Sequence, residues 1–165
     1  MLLLQRSLLA ASLLFGLCSS ATPNLPFGFQ ELFTVQLSVG KILRPLDVPG
    51  GTLVNEPITG GTVNGPALNG TIISGFAHPS FYGNGTLQVN VIDVYGLTDD
   101  GKTFYINQQG IGFGTKQVSR IAVNIGTEGD KYDVIRDAFI LATINPNANK
   151  TAVSVLAYIV TNELP

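Results

Sequence analysis

Residues 60–79 read GGTVNGPALNGTIISGFAHP, and this stretch decides how the chain folds. Gly60-Gly61 and Gly65-Pro66 make two corners, because glycine and proline interrupt regular pairing. Between and after them, Val63, Thr71, Ile72 and Ile73 are β-branched and suit a pleated strand. The pattern predicts a short strand around Val63, a turn, and a returning strand over residues 71–77. His78, the only histidine of the sequence, closes the stretch, and Pro79 holds its backbone extended. By strand parity His78 falls with Ile72, Ser74 and Phe76. If that face lines an interior, His78 titrates near neutral pH inside an apolar cavity. The competing reading is a strand-end histidine bonded to backbone or solvent.

Working outward, the same strand-and-corner punctuation continues. Phe33, Val35, Leu37 and Val39 alternate with polar residues, the period of a half-buried strand. Residues 41–57 carry three prolines and a Gly-Gly pair, which predicts a connection with at most a short strand. In residues 87–97 the side chains of Leu87, Val89, Val91, Asp93, Tyr95 and Leu97 share one face. Asp99-Asp100-Gly101 turns the chain back into a strand over residues 103–108. Gly110, Gly112 and Gly114 read as a bend, and Ile121, Val123 and Ile125 begin the next strand. Residues 139–144 and 152–160 are apolar on both faces, which predicts cover from a neighbouring layer or from another copy of the chain. Only residues 131–139 hint at a helix. With 19 glycines and turns at hairpin spacing, the chain reads as all-β, a small antiparallel barrel rather than a sandwich.

The N-terminus speaks to compartment. Arg6 precedes an apolar run over residues 8–17, followed by small residues up to Ala21. That is the order of a secretory leader, and a membrane span needs roughly twenty apolar residues. The expected organisation is a signal peptide over residues 1–21 and one barrel domain over residues 22–165, secreted or held in the secretory lumen. Cys18, the only cysteine, would leave with the leader, so neither disulfides nor thiol chemistry is expected in the mature chain. Asn69-Gly-Thr71, Asn84-Gly-Thr86 and Asn149-Lys-Thr151 are glycosylation sequons in turn-like contexts, so the chain reads as a glycoprotein.

Several functions are excluded or disfavoured. The net charge is −2, and the nine Lys and Arg are scattered, which leaves no basic footprint for nucleic acid. One histidine cannot support a multi-His metal site, and no dinucleotide fingerprint or nucleophile elbow is present. No metal and no cofactor are expected. Asp93, on a face of Leu, Val and Tyr, either needs a donor or stays protonated, which suits a general acid; on an outer face it would simply be paired. Tyr95 would orient a phenolic ligand or pack. Arg120, Arg136, Tyr82, Tyr105 and Tyr158 fit structural roles better.

The run Gly60-Gly61, Gly65-Pro66, Gly70, Gly75 and Ala77, the turn Thr98-Asp99-Asp100-Gly101, and the closing strand pair together resemble the family catalogued as domain of unknown function 3237. The resemblance covers roughly residues 33–160. It implies a small antiparallel barrel with a cavity, calycin-like or allene-oxide-cyclase-like. Fungal members associated with natural-product pathways are linked to ring closure, in which a hydroxyl adds across an alkene of a prenylated polyketide. Where the family pattern has an Asp and a Trp, this chain has His78 and Pro79; Val91 and Asp93 replace an acid and an Arg. The resemblance implies an isomerase or cyclase of secondary-metabolite biosynthesis, acting on a small apolar or phenolic molecule. His78 and Asp93 would move protons and Tyr95 would orient the substrate. The alternative is a hydrophobic-ligand carrier without catalysis. A homo-oligomer formed through the C-terminal strands is compatible with either reading.

Overall fold

The computed structural model describes residues 26–113, 116–127 and 129–162. The leader expected over residues 1–21 lies outside the described residues. Among the described residues eleven strands run in the order β1 (Phe27–Val39), β2 (Leu46–Val48), β3 (Gly51–Leu53), β4 (Glu56–Asn64), β5 (Gly70–Ala77), β6 (Ser80–Tyr82), β7 (Leu87–Thr98), β8 (Thr103–Phe113), β9 (Lys116–Ile125), β10 (Ile140–Pro146) and β11 (Ala152–Asn162). Among the same described residues one short helix, α1 (Asp133–Arg136), precedes β10. Eight strands form a closed antiparallel barrel in the order β7-β5-β4-β1-β11-β10-β9-β8, and β8 pairs back onto β7. Closure removes the unpaired edges that an open sheet would expose. The all-β barrel expected from the sequence is the fold.

Two expectations need correction. Residues 41–57 hold the small strands β2 and β3 and the start of β4; with β6 they add a flap beside the first residues of β7. Gly110 and Gly112 do not bend the chain. β8 runs through both, with Gly110 opposite Asn90 and Gly112 opposite Gln88. Their lack of side chains serves space rather than turning.

The interior follows from alternation. In β9 every second residue from Gln117 to Ile125 is buried and those between are exposed. Phe33, Val63, Ile72, Phe104, Ile121, Ile140 and Val155 are among the side chains that fill the axis. Gly96 leaves the Phe104 ring its place in this core, because a Cβ there would stand 2.2 Å from that ring.

One barrel end is closed by the segment carrying α1. Tyr132 and Ile135 are buried in the core cluster, and Arg136 Nη1 donates to the Ile125 carbonyl at 3.1 Å. Polar anchors hold this plug. Lys102 Nζ pairs with Asp130 Oδ2 at 2.7 Å, and the Tyr132 hydroxyl donates to Asp100 at 2.7 Å. Lys131 pairs with Asp100 at 3.0 Å, and Arg136 also pairs with Asp133. The hydrogen bond from Lys102 brings the Asp130 carboxyl down to about 2, and those from Thr98, Tyr132 and Lys131 hold Asp100 well below the carboxylate range. Both folded values lie below the unfolded ones, so the stability they contribute is present above about pH 4 and lost as pH falls toward 2. The melting temperature should therefore drop between pH 5 and pH 2 in wild type. Asp130→Asn should start lower at neutral pH and fall less steeply over that range. Parallel melting curves for the two proteins would show that these pairs do not hold the plug.

Candidate functional site

The barrel end opposite α1 is open, and the strand termini there enclose a chamber of about 80 Å³. Its walls are largely apolar, with Leu37, Ile58, Ile92, Ile144 and Val153 turned into it. Burying polar groups beside such walls is costly unless each finds a partner. Three amides nevertheless stand there, and they partner one another in a closed ring. Gln88 Nε2 donates to Asn90 Oδ1 at 2.7 Å, Asn90 Nδ2 donates to Gln117 Oε1, and Gln117 Nε2 donates to Gln88 Oε1 at 2.9 Å. Each amide uses one donor and one acceptor in the ring, which leaves one N–H and one lone pair for another partner.

The glycines of β8 make the ring possible. Gln88 and Asn90 lie on β7 and Gln117 on β9, with β8 between them. Neighbouring strands are about 4.8 Å apart, so the amides must reach across the width of β8. Gly112 sits between Gln88 and Gln117, and a Cβ there would come within 2.5 Å of Gln117 Cγ. At Gly110 the corresponding approach is 2.6 Å to Ser119 Cβ. Deeper in, Gln108 Nε2 donates to Ser119 Oγ at 2.6 Å, and Ser119 Oγ donates to the Ala142 carbonyl at 3.3 Å.

Glu56 also lines the chamber, as does Lys150 from the turn between β10 and β11. Burial raises the Glu56 carboxyl above its ordinary range, and the Lys150 charge opposes that shift only in part. The chamber thus combines apolar walls, a platform of amides with spare hydrogen-bonding capacity, and a carboxyl whose pKa is raised by burial. Such a set can hold a hydroxyl or carbonyl group and exchange a proton with it.

A larger recess of about 650 Å³ lies beside α1, bordered by Glu31, Asp99, Asp100, Lys131 and Tyr132. It is open to solvent, and Asp100, Lys131 and Tyr132 are engaged in anchoring the plug. The smaller chamber is the better candidate because its polar groups are enclosed by apolar walls.

The residues singled out from sequence are elsewhere. The pairing of β5 with β7 shifts between Ile72 and Ser74, a bulge that inserts one residue and reverses the parity beyond it. Ile72 and Ala77 are buried while Ser74 and Phe76 are exposed. His78 consequently stacks on exposed Phe76, with ring centroids 6.0 Å apart and planes at 12°. Its Nδ1 lies 2.5 Å from Asn55 Oδ1, and Pro79 lines the chamber in its place. Asp93 and Tyr95 lie on the outer face of β7, whose inward residues are Asn90, Ile92, Val94, Gly96 and Thr98. Asp93 Oδ1 accepts from the Tyr105 hydroxyl and, at 2.7 Å, from Asn107 Nδ2, and its carboxylate raises the Tyr105 phenol. Of the readings left open for these residues, the inward one is corrected: His78, Asp93 and Tyr95 are at or near the outer sheet surface.

Comparison with known proteins fits this fold. The family described as "Protein of unknown function (DUF3237)" matches residues 27–147. A conserved protein of unknown function from Rhodopseudomonas palustris superposes with a TM-score of 0.71 at 18% identity, covering 82% of this chain and 98% of its own. A beta-barrel like protein from Acinetobacter baumannii gives 0.70 at 20% identity, with 83% and 98% covered. An enzyme from Penicillium herquei gives 0.60 at 21% identity, with 81% and 96% covered. A search of curated proteins finds no match.

The inward position of Asn90 can be tested by stability. Asn90→Ala leaves a buried donor and a buried acceptor of the ring without partners, which costs about 1–3 kcal/mol. Gln109→Ala, on the exposed face of β8, should change stability by no more than about 0.5 kcal/mol. Urea denaturation of both variants measures the difference. Equal or reversed costs would contradict the assignment of faces.

Proposed function

This chain belongs to the DUF3237 family, and on that footing we propose that it is a cofactor-free enzyme whose chamber takes a small apolar or phenolic molecule and isomerises it by ring closure. The observation that carries this reading is the placement of the Glu56 carboxyl in one apolar-walled chamber with an amide ring that has unused donors and acceptors; burial raises that carboxyl's pKa. The Penicillium neighbour, an enzyme, supports a catalytic use of the same fold.

The chemistry would conserve every atom. The amide ring holds a phenolic hydroxyl or carbonyl of the substrate, and the apolar walls hold an alkenyl group near it. Glu56 gives its proton to one alkene carbon, the hydroxyl oxygen bonds to the other, and the hydroxyl proton returns to the carboxylate. The product is an isomer of the substrate. Positioning is a large part of the effect, since fixing two groups of one molecule in reacting geometry can remove about 7 kcal/mol or more of barrier. The chamber of about 80 Å³ takes only a few heavy atoms, so the remainder of a larger substrate would sit in the open mouth beside Phe81. We place this chemistry in the secretory pathway, as the leader-like N-terminus suggests.

The small chamber also favours one alternative, a carrier that grips one end of a hydrophobic ligand without chemistry. Deleting the gene and profiling metabolites separates the two. The enzyme reading predicts accumulation of an open-chain isomer of unchanged mass that keeps its hydroxyl and alkene. Reintroduced wild type should restore the cyclic product. Glu56→Gln should lower product formation about 100-fold or more, the usual scale for losing a general acid. Full restoration by Glu56→Gln would remove Glu56 from the mechanism. An unchanged profile on deletion would leave the carrier reading.

A further inference from the structure

The three sequons occupy two different ends of the barrel and two kinds of local geometry. Asn84 is at the tip of the turn joining β6 to β7, between Gly83 and Gly85. That turn is closed without it: Gly85 N–H donates to the Tyr82 carbonyl at 3.1 Å, and Thr86 Oγ1 donates to the Gly83 carbonyl at 2.7 Å. The Asn84 side chain is exposed and makes no hydrogen bond among the described residues. Asn149 is similar. In the turn between β10 and β11 the staple is Asn147, whose Oδ1 accepts from Thr151 N–H at 2.9 Å and whose Nδ2 donates to Thr151 Oγ1 at 3.0 Å. Asn149 is left exposed and without a partner among the described residues.

Both turns border the open mouth. Phe81, before the first turn, and Pro146 and Lys150, around the second, line the chamber. Asn69 is at the other end, against the recess beside α1. Its amide is occupied on one edge: Oδ1 accepts from Gly65 N–H at 3.1 Å and Nδ2 donates to the Gly65 carbonyl at 2.7 Å. Bonding both polar groups of one residue uses the amide hydrogen on the same side as Oδ1. A sugar attached to Nδ2 takes that same position, because a secondary amide is trans and the cis form costs about 2.5 kcal/mol. A glycan on Asn69 would therefore displace the bond that closes the loop between β4 and β5.

We propose that Asn84 and Asn149 carry N-linked glycans, which form a collar at the chamber mouth, and that Asn69 is instead a loop clamp without a glycan. In the transfer, the anomeric carbon of an oligosaccharide leaves a polyisoprenyl diphosphate donor. Its C–O bond to the diphosphate breaks, a C–N bond to Nδ2 forms, and the amide gives up one proton. The collar leaves the mouth open to a small molecule and bars a second protein from docking over it. The inference rests on passage through a eukaryotic secretory pathway and is independent of what the chamber binds.

The test uses the full-length chain secreted by a filamentous fungus. Its intact mass is measured before and after an amidase that hydrolyses the side-chain amide bond carrying each N-linked glycan, which releases the glycan and converts the acceptor Asn to Asp. Peptide mapping of the unmutated protein should find conversion at residues 84 and 149 and none at 69. Asn84→Gln and Asn149→Gln should each reduce the glycan number from two to one, and the double variant should carry none. Asn69→Gln should keep two glycans. Conversion at residue 69, or no conversion at 84 and 149 in a secreted chain lacking residues 1–21, would overturn the proposal. A chain that keeps its leader would overturn the secretory premise, and the proposal with it.

Discussion

In a closed barrel each strand can turn only one of its two faces to the axis, and here that choice is reset by a single extra residue in β5. The bulge between Ile72 and Ser74 reverses which side chains point inward, so Ala77 and Pro79 face the interior while Phe76 and His78 do not. A one-residue shift in a strand moves every later side chain to the opposite face. The only histidine is placed outside by this device.

The same accounting explains the chamber. An eight-stranded barrel has an interior just wide enough to be filled by side chains. Around Phe33, Phe104 and Ile121 it is filled, and α1 closes that end. Toward the mouth β8 contributes Gly110 and Gly112, and the space they leave lets amides from β7 and β9 meet. An amide ring with its internal bonds satisfied tolerates apolar surroundings. It can remain open to a ligand only where walls do not close over it, which is the situation at the mouth. Glu56 stands in the same partly desolvated space, and its raised carboxyl is a consequence of that setting rather than of a charged neighbour.

Much of the architecture was legible in the sequence. Alternation over residues 33–39 and 87–97, the Asp99-Asp100-Gly101 turn and the paired apolar strands at the C-terminus led directly to an antiparallel barrel. The site was not legible in the same way. Alternation says that a strand has two faces but does not say which faces the axis. In β7 the face bearing Leu87, Val89 and Val91 looks like a core face, yet it is the outer one, and Gln88 and Asn90 look solvated but point inward. Hydrophobicity misleads here because the outer surface also carries exposed Tyr95, Leu97 and Ile111. A better signal was available in the glycines: Gly96 is in phase with Asn90, and Gly110 and Gly112 pair with Asn90 and Gln88. Glycine at successive inward positions marks a place where volume is short or is being reserved. The bulge at Ile73 had no comparable signal, since three consecutive β-branched residues fit a regular strand equally well.

The proposed chemistry requires a small molecule to bind in the mouth chamber, and not on the outer sheet face or in the recess beside α1. Chemical-shift mapping of the isotope-labelled chain titrated with a prenylated phenol addresses this directly. Shifts concentrated on the side-chain amides of Gln88, Asn90 and Gln117 and on the methyl groups of Ile58, Ile92 and Ile144 are predicted. Saturable shifts around Asp93, Tyr95 and Tyr105, or around Asp100 and Tyr132, with the chamber signals unmoved, would contradict it.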